Sequence, residues 1–302
     1  MVAILISLGA NLGNPRESMH AAKRLLSDTF GALNIRCSQL FRTPPVGGPA
    51  GQGDFLNAVA AIQTDQSVWQ VWETMKSIET TLGRQRQHRW EARRIDIDLI
   101  LYGTQRIWTP HLKVPHPRMC MRTFVLSPAC EVASDWIDPV TNWSIQQLAD
   151  HLRSSVLNPI RVICPDLSIF HQLRQQVEQH PTDKLPIKLE WCLAPELCLA
   201  PPVELEWCLA PDSNLSQCVG AASLTIVAVA SPDPMSVLWE DYSLAWATRL
   251  NLTANSLIIS PKPDVISGPR YLMPANDLGW AAHEIHSAFQ AMTCNIEPLE
   301  KF

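Results

Sequence analysis

The stretch from Ile95 to Tyr102, Ile-Asp-Ile-Asp-Leu-Ile-Leu-Tyr, constrains the fold more than any other part of the sequence. Successive side chains of a β-strand point to opposite faces, so Asp96 and Asp98 share one face while the apolar residues between them share the other. The apolar face must pack against a core. The opposite face presents two carboxylates, which lie about 7 Å apart on an extended chain.

A run of basic residues leads into this strand. Two neighbouring carboxylates repel each other unless a cation lies between them, and Mg²⁺, which prefers oxygen ligands, suits such a pair. Arginine binds phosphate through planar bidentate hydrogen bonds. The combination predicts phosphoryl-type transfer, in which catalysis is mostly positioning and charge neutralisation. The alternative is a strand with a solvated face of mixed charge, which so short a motif does not exclude. The arginines are Arg84, Arg86, Arg89, Arg93 and Arg94.

The composition is that of a globular protein, with 46% hydrophobic and 18% charged residues. No apolar run in the sequence approaches the ~20 residues that span a bilayer, and the segment 1–9 is typical of a strand rather than a signal peptide. We therefore expect a cytoplasmic protein with no membrane partner. Nine scattered cysteines without a C-x-x-C pair argue against a disulfide framework or a zinc site.

Charge changes along the chain. Residues 1–160 hold 16 Lys and Arg against 13 Asp and Glu, whereas residues 161–302 hold 8 against 16, and proline becomes more frequent. These changes predict a boundary near Asn158-Pro159, with a first domain at 1–160 and a C-terminal α/β extension at 161–302. The acidic second half argues against a nucleic-acid partner.

Hydrophobic periodicity in the first half predicts the order β-α-β-β-α-β, followed by a further helix. Asn14 and Pro15 form an expected helix start, with Asn14 as the N-cap, and Ser144 is expected to cap the last helix. This order is typical of an α+β sandwich with helices packed on a sheet. The predicted strands are 2–8, 35–41, 55–62 and 95–102, and the helices run from Pro15, from 68 to 82 and from 144 to 152; residues 124–128 open a turn or helix.

The second half alternates strands and helices less clearly. The sequence Leu-Glu-Trp-Cys-Leu-Ala-Pro occurs at 189–195 and again at 205–211, which are too few copies for a solenoid and indicate a local duplication. No P-loop or dinucleotide motif is present in the sequence. Predicted strands are 161–164, 224–230, 256–260 and 271–273, and predicted helices are 167–177, 235–249 and 280–292, the last beginning near Asn276 or Asp277.

Several ordered blocks between residues 2 and 155 give the first half a recognisable pattern. In this order and spacing, the chain resembles the 6-hydroxymethyl-7,8-dihydropterin pyrophosphokinases of folate biosynthesis. The blocks are Leu-Gly-Ala-Asn-Leu-Gly at 8–13, Phe-Arg-Thr-Pro-Pro-Val-Gly at 41–47, Phe-Leu-Asn-Ala at 55–58, Leu-Gly-Arg at 82–84, Arg-Trp at 89–90, Arg-Arg-Ile-Asp-Ile-Asp at 93–98, Val-Pro-His-Pro at 114–117 and Arg-Thr-Phe-Val-Leu at 122–126.

The resemblance implies a ferredoxin-like α+β fold and a reaction. ATP and the hydroxymethyl dihydropterin would give AMP and the pterin diphosphate, through attack on the β-phosphorus with two Mg²⁺ ions at the phosphates. Asp96 and Asp98 would hold the metals, and Arg84 and Arg93 would complete the catalytic set. Small-molecule substrates are thus the expected partners.

The resemblance also assigns a pterin site. The heterocycle would lie between the rings of Phe55 and Phe124, because offset stacking suits a flat ring. Asn57 would present a donor and an acceptor to the pterin edge, and Thr43 and the backbone near Val46 would complete the hydrogen bonds. Without the resemblance, core packing is the simpler interpretation of both phenylalanines.

Further residues would bind ATP, among them Arg89 and Trp90 on a loop whose closure excludes water. His116 lies in a Val-Pro-His-Pro turn, where a purely structural histidine is the alternative. Glu79 either tethers Arg84 or is an exposed helix charge. The implied ATP-binding set is Arg84, Arg89, Trp90, Arg93, Ile100, His116 and Arg122.

One departure concerns the loop before Arg93, where Glu91-Ala92 replaces the Gly-Pro that is usual in the family and alters the allowed backbone.

Two rival functions therefore remain: a regulatory module that binds nucleotide or pterin without catalysis, and a scaffold whose extension mediates protein contacts. The extension itself is interpreted as a degenerate α/β domain, a dimerisation module or a docking surface. If the boundary is real, residues 1–160 should fold and act alone.

Overall fold

The computed structural model describes residues 1–49, 51–84, 92–108, 111–154, 160–164, 167–179, 189–193, 224–229, 269–275 and 277–302. Several expectations lie outside these residues: the helix at 235–249, the strand at 256–260, and the second copy of the repeat at 205–211. None of the helices within the described ranges is both long enough and apolar enough to cross a membrane.

The first half contains the strands and helices that periodicity predicts. In chain order they are β1 (Val2–Ala10), α1 (Pro15–Phe30), β2 (Ile35–Cys37), β3 (Gln39–Thr43), β4 (Phe55–Thr64), α2 (Val68–Thr81), β5 (Asp96–Tyr102), the short pair β6 (Ile107–Trp108) and β7 (Lys113–Val114), α3 (Thr123–Ala133) and α4 (Ile145–Ser154). The segment expected to open a turn or helix is thus the start of α3.

The helix starts follow from local side-chain chemistry. Asn14 accepts a hydrogen bond from the Glu17 N–H at 3.2 Å, and Pro15 occupies the first turn, which confirms the predicted cap. The hydroxyl of Ser144 accepts from the Gln147 N–H at 3.1 Å at the start of α4, again as predicted. These caps satisfy backbone donors that the helix itself leaves free.

A six-stranded antiparallel sheet forms the centre of the molecule. Five of its strands follow the order β12-β3-β4-β1-β5, and β2 also pairs with β4; β12 is defined below. Alternation along β1 sends Ile4, Ile6 and Leu8 into the core beneath α1 and α2, and Leu5 into the core beneath α3. The sheet is therefore buried on both faces, as the apolar strands predict, and burial of this kind stabilises by about 25 cal/mol per Å² of apolar surface.

The predicted strand at 35–41 is divided at Ser38. The Ser38 N–H donates to the Val59 carbonyl at 2.9 Å, and the Ser38 hydroxyl accepts from the Val59 N–H at 3.0 Å. This side-chain bond replaces a ladder bond and separates β2 from β3. Periodicity alone does not reveal such an interruption, because serine is compatible both with a continuous strand and with a break at which its side chain bonds to the backbone.

The second half contributes a four-stranded parallel sheet of order β11-β10-β8-β9. Residues 189–193, from the first copy of the repeated sequence, form an edge strand of this sheet. The elements are β8 (Ile160–Cys164), α5 (Leu167–Gln179), β9 (Leu189–Leu193), β10 (Leu224–Val229), β11 (Arg270–Pro274), α6 (Leu278–Thr293) and β12 (Glu297–Lys301). Asp277 caps α6 by accepting from the Trp280 N–H at 3.0 Å.

The last residues of the chain return to the first sheet. β12 pairs antiparallel with β3, with Pro298 opposite Phe41, and Phe302 is buried beside α1 with its ring 5.4 Å from that of His20. Apolar residues of α6, such as Ile285, share one core cluster with α3. Through β12 and α6, residues beyond 160 thus contact the first half of the chain.

Candidate active site

Three strands meet at Gly9 to form the floor of the candidate site. Gly9 of β1 lies opposite Asn57 of β4 on one side and opposite Asp96 of β5 on the other. A Cβ atom at Gly9 would lie 3.3 Å from Asn57 Oδ1, so glycine is needed here for the close approach. The sheet thus places an amide and a carboxylate on either side of a position without a side chain.

Above this floor lies a cavity of about 510 Å³. It collects nearly all of the described residues that the sequence analysis assigns to a site. They are Thr43, Val46, Phe55, Asn57, Arg84, Arg93, Asp96, Asp98, His116, Arg122 and Phe124. Ile100 is different, because its side chain is fully buried in the core and only its carbonyl, which accepts from the His116 N–H at 3.0 Å, reaches a site residue. Arg89 and Trp90 lie outside the described residues.

The end of the cavity assigned to the pterin is lined by two aromatic rings and a buried polar pair. The Asn57 amide donates to the Thr43 hydroxyl at 2.8 Å, and both residues are buried. Phe55 and Phe124 are only partly buried and line the cavity, and Phe124 also packs against the core cluster beneath α3. The Arg122 guanidinium carbon lies 5.5 Å from the centre of the Phe124 ring.

The opposite end is dominated by the two aspartates and the cations around them. Asp96 pairs with Arg84, at 2.7 Å between Nη2 and Oδ1, and also with Arg93. Asp98 lies 3.5 Å from Arg122 Nη1 and 3.7 Å from His116 Nε2. The face of β5 that periodicity predicts to be polar therefore presents the carboxylates of Asp96 and Asp98. The arginine-rich wall of the cavity, formed by Arg84, Arg93 and Arg122, surrounds them.

Glu79 fixes the helix α2 to this wall. Its side chain is only 2% exposed, so the interpretation as an exposed helix charge is wrong. Glu79 pairs with Arg84, and its Oε2 also accepts from Lys76 Nζ at 2.8 Å. The tether to Arg84 is thus a buried charge network rather than a surface pair.

Asn11, in the loop after β1, holds the backbone of Arg93. Its Oδ1 accepts from the Arg93 N–H at 2.7 Å, while the N–H groups of Asn11 and Leu12 donate to the Arg93 carbonyl at 2.9 and 3.1 Å. These bonds connect the Leu-Gly-Ala-Asn-Leu-Gly block to the arginine block. They join two segments that are distant in sequence.

Two side chains in or beside the arginine-rich wall, His116 and Arg122, have lowered pKa values, first through burial and then through neighbouring positive charges. Burial lowers the pKa of His116 well below its usual value, and the charges of Arg122 and Arg118 lower it further. Burial, together with Arg118, also lowers the pKa of Arg122. His116 is therefore held as a neutral imidazole near physiological pH, suited to hydrogen bonding rather than to acting as a fixed charge.

The site has few ligands for a permanent metal ion. Within the described ranges, no three His, Cys, Asp or Glu side chains are grouped so as to hold one. The two carboxylates of Asp96 and Asp98 are nevertheless enough for Mg²⁺. This ion is commonly bound by one or two carboxylates and completes its coordination shell with water and substrate phosphates. The donor set fits a metal that arrives with a nucleotide.

The sequence analysis missed a group of cavity residues. Arg118 comes directly after the Val-Pro-His-Pro block at 114–117, and that position is its only signal in the sequence. The others include residues of the second half, for which periodicity predicts a strand and a helix but nothing about a site. The missed residues that line the cavity include Lys76, Lys113, Arg118, Tyr271, Trp280, Glu284 and Ser287.

Comparison with known proteins gives consistent matches to the first half of the chain. A model of the family "7,8-dihydro-6-hydroxymethylpterin-pyrophosphokinase (HPPK)" matches residues 5–134. The 2-amino-4-hydroxy-6-hydroxymethyldihydropteridine pyrophosphokinase of Haemophilus influenzae is 36% identical over 162 residues, covering 53% of this chain and 100% of that protein. The protein of the same name from Synechocystis is 33% identical over 156 residues, covering 52% of this chain and 79% of that protein.

Solved structures give a weaker likeness. A crystal structure of the Plasmodium falciparum HPPK-DHPS triple mutant with pteroate has a TM-score of 0.39 at 11% identity. The alignment covers 76% of this chain and 64% of that one, less than two thirds of its length. A score of this size supports no conclusion about fold or function. The sequence relatives are decisive instead: because the chain spans the whole of a 36% identical relative, it belongs to the HPPK family.

Proposed function

We propose that the chain transfers the diphosphate group of ATP to 6-hydroxymethyl-7,8-dihydropterin, giving AMP and the pterin diphosphate. Membership of the HPPK family supports pyrophosphoryl transfer in folate synthesis. The observation that carries the proposal is the placement of Asn57 and Asp96 on either side of Gly9. A pterin held at the amide would have its hydroxymethyl group directed towards the carboxylates.

The pterin end offers the groups that a flat, hydrogen-bonding heterocycle needs. Phe55 and Phe124 supply apolar faces, and stacking between rings is favourable in an offset arrangement. The side-chain oxygen of Asn57 and the backbone near Val46 would supply polar contacts to the edge of the pterin ring. Thr43 fixes the orientation of the Asn57 amide through the 2.8 Å hydrogen bond.

The opposite end would hold the triphosphate. Arg84, Arg93 and Arg122 present guanidinium groups, whose geometry matches phosphate oxygens. All three pair with Asp96 or Asp98 in the structure, so a nucleotide with its metal would exchange these contacts for phosphate contacts. We propose two Mg²⁺ ions at the aspartates, which when bound would neutralise charge on the transferring group.

The reaction balances without a further reactant. The pterin hydroxyl oxygen forms a bond to the β-phosphorus, the bond from that phosphorus to the oxygen bridging it to the α-phosphorus breaks, and the hydroxyl proton is released to water. AMP is the leaving group. The chain's own contribution is to align the hydroxyl with the β-phosphorus and to offset the developing negative charge with arginines.

The two rival functions are weighed against the same residues. A regulatory module without catalysis would not need Asp96 and Asp98 on one face of the cavity. A scaffold would not need the second half to line that cavity, as Tyr271 and Glu284 do. We expect the departure at Glu91 and Ala92 to change the rate of the reaction more than its identity.

Three finer expectations stay predictions. One is the ferredoxin-like topology of the first half. The second is the division into a pyrophosphokinase domain at residues 1–160 and a C-terminal α/β extension at residues 161–302. The third is the cytoplasmic location. The elements that bear on the second are β12 and α6, which bring the extension back to the first sheet.

A steady-state assay tests the proposed function. The full chain is incubated with ATP, Mg²⁺ and the hydroxymethyl dihydropterin, and AMP is measured by chromatography. We expect AMP only when the pterin is present, and its formation should stop when the metal is chelated. AMP formation that does not depend on the pterin, or its absence under all conditions, would rule the function out.

A further inference from the structure

One wall of the cavity comes from the second half of the chain. Tyr271 of β11 and residues of α6, among them Glu284 and Ser287, line it. Two hydrogen bonds fix α6 against the first half: the Thr123 hydroxyl donates to the Ala291 carbonyl at 3.0 Å, and the Gly47 N–H donates to the Gln290 side chain at 3.1 Å. The helix is therefore held against both the loop after β3 and the start of α3.

Glu284 is a fully buried carboxylate on this helix, with 0% of its side chain exposed. Its Oε1 lies 2.5 Å from the Nε of Arg118. A buried carboxylate is strongly destabilising unless a cation compensates it, so the pair must be kept together for α6 to pack as it does. The two residues are more than 160 positions apart in the sequence.

Tyr271 is the second partner of Arg118. Its hydroxyl oxygen is 3.4 Å from the same Nε, and the guanidinium carbon lies 5.7 Å from the centre of the tyrosine ring. Burial opposes the charge of Arg118, but interactions with Tyr271 and Glu284 outweigh it and raise the pKa above the ordinary value. The guanidinium is therefore a permanent positive charge with a fixed orientation.

Arg118 lies on the same part of the cavity wall as a second guanidinium, that of Arg122, and the neutral imidazole of His116. It lines the cavity with His116 and Arg122. Burial is the main cause of the lowered pKa values of His116 and Arg122, and the positive charge of Arg118 lowers both further. A guanidinium that lines a cavity beside a second guanidinium favours an anionic ligand, because phosphate oxygens neutralise both charges.

We propose that Glu284 is a positioning residue, which holds Arg118 in the phosphate-binding wall of the cavity. Arg118 would contact the polyphosphate of the nucleotide directly, and Glu284 and Tyr271 would act through it. The second half of the chain is then part of the nucleotide site. The nature of the ligand rests on the proposed function, but the geometry of the three residues does not.

Calorimetric titration of the full chain with MgATP, without pterin, tests this directly. We expect Arg118→Gln to weaken ATP binding about tenfold, the effect of losing one charge-assisted hydrogen bond. Glu284→Gln should weaken it roughly fivefold or more, and Glu284→Asp should recover part of the affinity by keeping the charge. The matched control is Glu178→Gln, which removes a carboxylate from an exposed pair with Arg174 on α5 and should leave ATP binding unchanged.

Two further measurements separate positioning from a structural role. If Glu284 acts only through Arg118, the double variant Arg118→Gln/Glu284→Gln binds ATP as weakly as Arg118→Gln alone, without an additive loss. The KM for ATP should rise in Glu284→Gln while kcat changes by less than about twofold. Near-ultraviolet circular dichroism verifies the fold, and Glu284→Asp with Tyr271→Phe carries the test if Glu284→Gln does not fold.

Specific outcomes would overturn the proposal. An unchanged or tighter ATP affinity in Glu284→Gln would show that the carboxylate only neutralises Arg118, and additive losses would show independent roles. These results are distinguishable from a failure of the proposed function. A wild-type chain that binds ATP but forms no pterin-dependent AMP contradicts the function alone, whereas turnover with an ATP affinity insensitive to Glu284 contradicts the positioning role alone.

Discussion

The carboxylate of Glu79 accepts a hydrogen bond from the backbone N–H of Ile97 at 2.8 Å. Ile97 lies between Asp96 and Asp98, so the bond fixes the strand that carries both candidate metal ligands. The same Glu79 oxygen pairs with Arg84, whose other nitrogen pairs with Asp96. One buried side chain of α2 therefore sets the position of the strand and of a candidate catalytic arginine together.

Replacing Glu79 should affect both stability and turnover. Glu79→Gln removes the buried carboxylate that pairs with the partly buried Arg84, and breaking a buried ion pair costs about 3–5 kcal/mol of unfolding free energy. We expect a loss of that order in urea denaturation and a lower kcat. Glu73→Gln, at an exposed position of the same helix, is the control and should change neither. A Glu79→Gln variant as stable as the wild type would contradict the network.

Asp98→Asn tests the metal assignment. A metal clamp supplies several kcal/mol of transition-state stabilisation, so turnover should fall by roughly 10³-fold. Pterin binding, measured by fluorescence titration, should change much less because Asp98 lies at the phosphate end of the cavity. Near wild-type turnover in this variant would exclude Asp98 as a metal ligand.

Phe124→Ala tests the pterin site. Lost stacking should weaken pterin binding by roughly 1–3 kcal/mol, by analogy with base–aromatic stacks. Binding of MgATP, titrated separately, should change little. Because Arg122 lies 5.5 Å from the Phe124 ring, an equal loss of ATP affinity would indicate that the ring supports the arginine rather than the pterin.

Gly9→Ala tests the floor of the cavity. The new Cβ would lie 3.3 Å from Asn57 Oδ1, closer than an ordinary contact, and would displace the amide by a few tenths of an ångström. We expect pterin binding to weaken by about tenfold, the effect of losing one or two well-placed hydrogen bonds. Gly53→Ala is the control, because its Cβ would be 3.9 Å from the Asn11 carbonyl. Unchanged pterin affinity in Gly9→Ala would place the pterin elsewhere.

Sequence reasoning was most effective where one segment determines its own structure. The alternation around Asp96 identifies the strand and its polar face, and Asn14 identifies the start of α1. The position of Glu284 depends on its contact with Arg118, more than 160 positions away, and no local sequence pattern predicts that contact. The edge strand β12 is equally hidden, because its sequence, Glu-Pro-Leu-Glu-Lys, is short and contains proline, which is tolerated only at sheet edges.

The same contacts change the expectation for a fragment of residues 1–160. Without β12 the edge of β3 is left open, and without α6 part of the apolar cluster that α6 shares with α3 is exposed, both of which favour aggregation. We therefore expect the fragment to be poorly soluble, or to bind MgATP more weakly than the full chain. A soluble fragment with the ATP affinity and rate of the full chain would show that these contacts are dispensable.

Identification of both products tests the account most directly. The full chain is incubated with MgATP and the hydroxymethyl dihydropterin, and the mixture is analysed by ³¹P NMR and mass spectrometry. Attack on the β-phosphorus predicts AMP and the pterin diphosphate in equal amounts, with no ADP. Formation of ADP with a pterin monophosphate, or of no phosphorylated pterin while ATP is bound, would contradict the central claim.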